Sequence, residues 1–198
     1  MSLKRFFDAS VALSALIALG PLMLLLALAL ILDSPGGALF RQTRVGCGGR
    51  DFTLFKFRTM TAKAGAERGR FDCGDSGRVT ALGARLRRLK LDELPQLINV
   101  LRGDMSLVGP RPEVRPWTEV YPERWAKVLT VRPGLTDEAS IEFRHEEELL
   151  AAAPDPELLY RETILPRKLD HAEAYAAGRT FAGDLAIMAR TLRALLKN

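Results

Sequence analysis

The chain has 198 residues, of which 47% are hydrophobic and 27% charged, so a disordered, collagenous or coiled-coil protein is excluded and one compact domain is favoured. Its 29 basic and 24 acidic residues give a net charge of +5, which modestly favours acidic partners such as phosphates or anionic lipid. Cys47 and Cys73 form no disulfide framework and no CxxC motif, so a reducing compartment is expected.

The first predicted element is an apolar helix near the N-terminus. Residues 11–32 carry no charge, and one straight helix of that length would extend about 33 Å, enough to cross a bilayer. The run is longer than the core of a secretory signal and continues past the A-x-A match at residues 27–29. We therefore expect a membrane helix rather than a cleaved signal.

The flanks of this helix bear on its topology. Both are basic, with Lys4 and Arg5 before the helix and Arg41, Arg44 and Arg50 after it. The positive-inside rule therefore places both ends in the cytoplasm. Gly20 and Pro21 lie near the midpoint, where the proline removes a helical hydrogen bond and clashes with the preceding turn. A re-entrant helix bent at this pair satisfies both flanks, and a kinked spanning helix also fits the composition.

The rest of the chain is too polar for further spans. We divide the sequence into a membrane helix, residues 1–34, and one globular domain at the membrane surface, residues 35–198. Residues 35–103 hold 14 basic and 6 acidic side chains, whereas residues 137–176 hold 4 and 11. The basic half is suited to phosphates or lipid headgroups, although the acidic half could simply solvate its helices.

The globular part is predicted to be mainly helical, an α+β domain with a small β-hairpin. Residues 38–45 and 51–58 flank a glycine-rich turn and alternate as hairpin strands do. Residues 61–78 suggest a mobile loop, in which Asp72 and Asp75 fit turns better than a metal pair. Leucines at positions 82, 86 and 89 predict a basic amphipathic helix. Residues 181–196 predict another amphipathic helix, packed on the core or lying in the membrane interface.

An acidic pair precedes the next predicted helix. Pro95 suits a helix start and Gly103 a helix stop. Asp92 is then the expected N-cap, and Glu93 would stabilise the positive end of the helix from its first turn. On spacing alone this pair could cap the helix or carry chemistry.

The surrounding sequence favours a catalytic role for the acidic pair. The segment LDELPQLINVL, residues 91–101, runs into RGDMSLVGPRPE, residues 102–113, and together they resemble the bacterial sugar transferase family, the monotopic polyprenyl-phosphate phosphoglycosyl transferases. Residues 41–46, 55–60 and 132–136 agree with the same family, so the resemblance covers nearly the whole chain.

The resemblance implies a membrane enzyme on the cytoplasmic face of the bacterial inner membrane. Such an enzyme moves a sugar-1-phosphate from a nucleotide sugar, expected to be a UDP-sugar, onto a polyprenyl (undecaprenyl) phosphate and releases UMP. The product begins a surface glycan that downstream glycosyltransferases extend. The resemblance also implies that Asp92 is the nucleophile, that Glu93 is its partner, and that the N-terminal helix is re-entrant.

The chemistry sets further requirements. A diphosphate repels an anionic nucleophile, so cations must neutralise the phosphoryl oxygens, and Mg²⁺ held by Asp92 or Glu93 is expected. Attack by the Asp92 carboxylate would give an acyl phosphate, which the polyprenyl phosphate then displaces. The candidate phosphate ligands are Lys56 and Arg58, which should share one face of a strand, Arg87, which matches a family arginine, and Arg111, which two prolines hold rigidly.

Two positions depart from the family pattern. Gly20 replaces the serine that many members have before the helix-bending proline, and Asp137 stands where glycine often follows the PGLT segment.

The expected partners are the nucleotide sugar, the polyprenyl phosphate and membrane lipid, without nucleic acid, and isologous pairing into a homodimer would be compatible with the sequence. The alternative hypothesis is a non-catalytic membrane-anchored adaptor in which Asp92 and Glu93 only cap a helix.

Overall fold

The computed structural model describes residues 3–61 and 76–196. Within these ranges the chain is mainly helical with two small two-stranded sheets, as the sequence predicted for the helices and one sheet. The predicted loop at residues 61–78, including Asp72 and Asp75, lies almost entirely outside the described residues, and so does Cys73.

Helix α1, Leu3–Asp33, is the one helix among the described residues that is long and apolar enough to cross a membrane, with a mean hydropathy of 2.8 over its most apolar window. The helix continues through Gly20 and Pro21, so the chain does not leave the helical conformation at the pair where a bend was predicted. Pro21 still removes one helical hydrogen-bond donor. One stripe of α1 packs on the globular body, whereas Ile17 and Leu24 on other faces are 71% and 74% exposed.

The N-terminal end of α1 is tied to the globular body by charged side chains. The Lys4 ammonium lies 2.6 Å from a carboxylate oxygen of Asp184. The Arg5 guanidinium donates hydrogen bonds to the carbonyl oxygens of Val100 and Leu101, at 2.5 and 2.7 Å. Charge-assisted hydrogen bonds of this kind are stronger than neutral ones, so they hold this end of the helix in place.

The C-terminal end of α1 is held by Arg58. This guanidinium donates to the carbonyl oxygens of Leu30, Ser34 and Pro35, at 3.0, 2.7 and 2.5 Å, where the helix ends. The Leu30 carbonyl also accepts the last helical bond, from the Ser34 N–H at 3.4 Å. The prediction that Arg58 and Lys56 share a strand face was wrong, because the strand ends at Phe57. Arg58 instead holds the C-terminal end of α1.

The predicted hairpin is confirmed. Strands β1, Leu39–Val45, and β2, Asp51–Phe57, pair in antiparallel register with Phe40 opposite Lys56. The connection contains a short 3-10 turn, Cys47–Gly49, in which Gly48 has a positive φ of 70° that residues with a Cβ rarely adopt. The hairpin presents Lys56 near one end of β2.

Helix α2, Ala81–Arg88, is the predicted basic amphipathic helix. It begins after Thr80, whose hydroxyl accepts a hydrogen bond from the Gly83 N–H. Leu86 is buried on its inner face, but Leu89 lies beyond the helix end and is 51% exposed. Gly83 lets the helix approach the backbone of Thr59, because a Cβ at this position would lie 2.1 Å from the Thr59 carbonyl oxygen.

The acidic pair lies in a 3-10 turn, Leu91–Glu93, that precedes helix α3, Gln96–Arg102. The predicted stop at Gly103 is confirmed by its positive φ of 94°. The prediction that Asp92 caps a helix was wrong. Lys90 occupies the N-cap position of the turn and Pro95 that of α3, and neither helix start has a side-chain cap.

A second sheet was not predicted. Strands β3, Ser106–Val108, and β4, Gly134–Thr136, are three residues long and pair in parallel. Their backbones approach so closely that a Cβ on Gly134 would lie 2.1 Å from the Gly109 nitrogen. Two segments about 25 residues apart in the chain are thereby joined.

The remaining elements are short helices and two longer ones. They are α4 (Arg115–Thr118), α5 (Pro122–Val128), α6 (Glu138–Glu142), α7 (Glu146–Ala151), α8 (Pro156–Leu159), a wider π turn (Tyr160–Ile164), α9 (Leu165–Gly178) and α10 (Phe181–Leu196). The second half packs its core around Trp117, Trp125 and Tyr160. A separate core joins α1, β2 and α3 through Ala12, Leu54 and Val100. This second core extends to Leu94, directly after the acidic pair.

We expect Gly83→Ala to destabilise the fold by about 1–3 kcal/mol, the usual cost of forcing an extra carbon into a packed site. Gly178→Ala is the matched control, because a Cβ there would meet nothing within 4 Å. Unfolding followed by tryptophan fluorescence in detergent micelles measures both, since Trp117 and Trp125 are buried. Equal stability of the two variants would contradict the close packing of α2.

Candidate active site

The site is built where strand β2 meets the turn that carries the acidic pair. Lys56 reaches across from β2, and its ammonium donates to Glu93 Oε1 at 3.2 Å. Arg111 arrives from the loop after β3 and donates to both oxygens of Glu93, at 2.5 Å to Oε1 and 3.2 Å to Oε2. Three separate segments of the chain therefore converge on one carboxylate.

Glu93 is a fully partnered carboxylate. Its side chain is 12% exposed, and the two cations that contact it are Lys56 and Arg111, with side chains 21% and 35% exposed. The bidentate arginine contact is the geometry that best matches a planar carboxylate. Burial alone would raise the pKa of Glu93, but the Arg111 and Lys56 charges outweigh it and bring the pKa well below its ordinary value.

Asp92 is the opposite case. The residue is 7% exposed, and its Oδ1 has no hydrogen-bond partner among the described residues. Burial raises the pKa of Asp92, and the Lys56 charge offsets this only in part. An uncommitted, poorly solvated carboxylate is a stronger nucleophile than one held by donors, so of the two neighbours Asp92 is suited to attack.

Burial and charge also act on the two cations. Burial lowers the pKa of Lys56, with the Glu93 charge opposing that shift. The Glu93 carboxylate raises the pKa of Arg111, whose guanidinium stays charged throughout. The cluster therefore keeps a permanent positive charge from Arg111 next to Asp92.

Arg111 is held through its backbone as well as by Glu93. Its N–H donates to Asp137 Oδ2 at 3.1 Å, while Asp137 Oδ1 accepts from the Ser140 N–H at 2.7 Å and caps helix α6. The parallel pairing of β3 with β4 brings the two segments together. The departure from the family glycine thus has a structural role, because Asp137 joins the arginine loop to α6.

The other two predicted phosphate ligands lie outside this cluster. The Arg58 guanidinium is bonded to carbonyls at the end of α1. Arg87 donates from Nε to the Thr59 hydroxyl at 2.8 Å and pairs with the exposed Glu147 carboxylate at 3.2 Å. The exposed pair with Glu147 is weak and readily exchanged, so Arg87 stays available to an anion, whereas Arg58 does not.

Three residues near the site were not selected from the sequence. Lys90 has a positive φ of 56°, an uncommon conformation outside glycine, and its charge lowers the pKa of Asp92 against the effect of burial. Asn99 and Asp137 are buried and hydrogen-bonded to the segments that carry Lys56 and Arg111. Lys90 had a sequence signal in its place in a basic run beside the acidic pair, and Asp137 had one in its departure from the family glycine, whereas nothing in the sequence singled out Asn99.

The site offers few protein oxygens that could bind Mg²⁺. Among the described residues no group of three or more metal-binding side chains occurs. Mg²⁺ commonly uses one or two carboxylates together with substrate phosphates and water, so such a group is not required. Asp92 Oδ1 is a buried acceptor without a partner, which fits a cation, whereas both oxygens of Glu93 already accept hydrogen bonds.

The contrast between the two carboxylates predicts opposite effects of the same chemical change. Asp92→Asn should stabilise the protein at neutral pH by about 0.5–2 kcal/mol, because it removes a buried charge whose Oδ1 has no hydrogen-bond donor in the described part of the chain. Glu93→Gln should destabilise it by about 2–3 kcal/mol, because Lys56 and Arg111 lose their counter-ion while Arg111 keeps some solvent. Chemical denaturation of both variants beside wild type measures these effects.

The pH dependence of stability distinguishes the buried charge of Asp92 from the ion pairs of Glu93. The gain from Asp92→Asn should vanish as the pH falls below the ordinary aspartate range, since burial raises the folded-state pKa and penalises ionisation only above that range. The loss from Glu93→Gln should be complete above the ordinary glutamate pKa of 4.5 and shrink at lower pH. Destabilisation by Asp92→Asn at neutral pH would contradict the assignment of Asp92 as uncommitted.

Comparison with known proteins identifies one family and several named relatives. The family model described as bacterial sugar transferase matches residues 1–198. The chain is 43% identical over 199 residues to the UDP-glucose:undecaprenyl-phosphate glucose-1-phosphate transferase of Caulobacter vibrioides, covering 98% of this chain and 69% of that protein.

Two further relatives carry related names. The UDP-N-acetylgalactosamine-undecaprenyl-phosphate N-acetylgalactosaminephosphotransferase of Aeromonas hydrophila is 35% identical over 98% of this chain and 44% of its own length. The UDP-glucose:undecaprenyl-phosphate glucose-1-phosphate transferase of Xanthomonas campestris is 42% identical over 72% of this chain and 31% of its own length. With a family model matched over its whole length, the chain belongs to the bacterial sugar transferase family.

Proposed function

We propose that this protein transfers a sugar-1-phosphate from a UDP-sugar to undecaprenyl phosphate, giving an undecaprenyl-diphosphate sugar and UMP. The relatives named above act on undecaprenyl phosphate with UDP-glucose or UDP-N-acetylgalactosamine. The lipid-linked product would then pass to glycosyltransferases that extend it into a surface glycan. Pairing into a homodimer stays a prediction.

The observation that carries the proposal is the difference between two adjacent carboxylates. Glu93 is bound by two cations, whereas Asp92 is buried and has an oxygen without a partner among the described residues. A helix-capping role for Asp92, which the adaptor hypothesis requires, has no hydrogen bond to support it. A buried carboxylate with one oxygen lacking a hydrogen bond costs stability, so a use in chemistry explains it best.

The proposed reaction has two displacements at the phosphorus that carries the sugar. In the first, an Asp92 oxygen bonds to this phosphorus, the bond to the UMP oxygen breaks, and an acyl phosphate of the sugar forms on Asp92. In the second, an oxygen of undecaprenyl phosphate bonds to the same phosphorus and the Asp92 carboxylate leaves. Two displacements by way of a covalent intermediate give ping-pong kinetics.

The cations around Glu93 are suited to bind the donor. A diphosphate offers oxygens that compete with Glu93 for Lys56 and Arg111, and the partial exposure of both side chains leaves them accessible. Arg111 keeps its place during such an exchange because Asp137 holds its backbone N–H. Arg87 could bind a further phosphate oxygen by releasing the exposed Glu147.

We also propose that Mg²⁺ is the cofactor and that the Asp92 and Glu93 carboxylates hold it together with the phosphates of the donor. When bound, Mg²⁺ would neutralise phosphoryl oxygens and so reduce their repulsion of the attacking carboxylate. The Glu93 oxygens already accept hydrogen bonds from Lys56 and Arg111, and the positive charge of these partners opposes a second cation until the donor phosphates are present. We therefore expect the cation to bind more tightly in the presence of donor than in its absence.

The attachment of α1 supports a re-entrant membrane helix on the cytoplasmic face of the inner membrane. A spanning helix separates its ends by about 30 Å of hydrocarbon. Here both ends contact the same globular body, through Lys4 and Arg5 at one end and Leu30 at the other. The exposed apolar residues between the ends, such as Leu24, would lie in the lipid. The basic residues at both flanks favour the cytoplasmic side.

The proposed intermediate predicts a mass change in the protein. Wild type that is mixed with a UDP-sugar in the absence of acceptor and quenched in acid should gain the mass of one sugar phosphate, measured by intact-protein mass spectrometry. A panel of UDP-hexoses and UDP-acetamido sugars identifies the donor. Asp92→Asn should show no adduct and at least about a 10⁴-fold loss of turnover, as expected when a nucleophile is removed.

Arg111→Gln and chelation of divalent cations should also prevent the adduct, because each removes positive charge from the phosphoryl oxygens. Arg115, whose exposed guanidinium pairs with the exposed Asp51, provides the control, and Arg115→Gln should react normally. Full turnover by Asp92→Asn would instead favour the adaptor hypothesis, in which this position has no chemical role.

The re-entrant helix predicts that both flanks of α1 face the cytoplasm. Single cysteines at Ser2 and Ser34, in a chain with Cys47 and Cys73 replaced by serine, should react with a membrane-impermeant maleimide only after intact cells are opened. Labelling of the Ser2→Cys protein from outside intact cells would show a spanning helix. A cysteine at Ser76, in the globular part, serves as the cytoplasmic control.

A further inference from the structure

Asn99 is a buried polar residue that the proposed chemistry does not use directly. It lies on α3 and is 0% exposed, and the same helix contributes Leu97 and Val100 to a hydrophobic core that also contains Leu54 of β2. Apolar contacts already hold α3 against β2, so an amide is not needed for adhesion between them. A buried amide is tolerated only when its hydrogen bonds are satisfied.

The hydrogen bonds of Asn99 are directed at the backbone of one strand. Its Nδ2 donates to the Thr53 carbonyl oxygen at 2.7 Å, and its Oδ1 accepts from the Phe55 N–H at 3.1 Å. A third contact runs from Nδ2 to Asp104 Oδ2 at 3.3 Å. The amide thus presents to β2 the same donor and acceptor that the backbone of a neighbouring strand would present.

These bonds fix how β2 lies along α3. Apolar packing allows two elements to slide, but a one-residue shift of a strand turns every side chain to the opposite face. Lys56 directly follows Phe55, and its ammonium must reach Glu93, which lies six residues before Asn99. The register that Asn99 enforces is therefore the register that brings Lys56 to the site.

We propose that Asn99 is a positioning residue, which acts through Lys56 by locking the strand that carries it to the helix that follows the acidic pair. This inference rests on the proposed function, in which Lys56 binds the diphosphate of the donor. It assigns Asn99 no contact with substrate.

The experiment is a double-mutant cycle read as affinity for UDP in the presence of Mg²⁺, measured by isothermal titration calorimetry. Asn99→Leu keeps the side-chain volume and removes all three hydrogen bonds. We expect it to weaken UDP binding by about tenfold, within the range of coupling found inside one hydrogen-bond network. In a Lys56→Met background, the same change should weaken binding by no more than about twofold, because the residue it positions is already gone.

Val100→Ala is the matched control. Val100 adjoins Asn99 on α3 and is also 0% exposed, but its side chain makes none of the hydrogen bonds to β2. The variant should lower the thermal unfolding midpoint and leave UDP affinity within about twofold of wild type. Asn99→Asp, which keeps an acceptor for the Phe55 N–H and loses the donor to Thr53, provides a second variant for the cycle should the leucine prevent folding.

The outcomes separate the hypotheses. Wild-type UDP affinity in a folded Asn99 variant, or equal losses with and without Lys56, would overturn the positioning role. Failure of wild type itself to bind UDP with Mg²⁺ would overturn the proposed function, and this inference with it. Loss of affinity only where Lys56 is present supports the assignment.

Discussion

The ion cluster around Glu93 is the interaction on which the site depends. Lys56 comes from the hairpin, Glu93 from the turn before α3, and Arg111 from the loop after β3, so one carboxylate joins three segments that are distant in the chain. Because Glu93 neutralises both cations, its neighbour Asp92 is left buried without a donor to Oδ1. This difference in hydrogen bonding between adjacent residues is the basis of the proposal that Asp92, and not Glu93, attacks phosphorus.

The fold supplies the geometry of this cluster through backbone contacts that only small residues permit. Gly109 and Gly134 allow β3 and β4 to approach, and that pairing places Asp137 under the backbone of Arg111. On the other side, Arg58 secures the end of α1 beside the hairpin. Helix α1 and the proposed nucleophile Asp92 are therefore parts of one packed body, which suits an enzyme whose acceptor is a lipid phosphate.

The sequence predicted the local elements well and the long-range contacts poorly. Alternation and a glycine-rich turn were enough for the hairpin, and leucine spacing was enough for α2. Asp92 was expected to cap a helix because its residue type and the following proline suit that position, but the chain enters the turn through Lys90 at a positive φ. Arg58 was misplaced because a strand boundary moved by one residue. The pairing of β3 with β4 joins segments too short to carry a period.

The most direct test of the central claim is the stereochemical course at the phosphorus that carries the sugar. A donor made chiral at this phosphorus by a single sulfur substitution can be followed into the lipid product, where ³¹P NMR reports its configuration. Two in-line displacements, the first by Asp92, invert the phosphorus twice, so the configuration should be retained. Net inversion would mean that the lipid phosphate attacks the donor directly, and it would contradict a covalent role for Asp92.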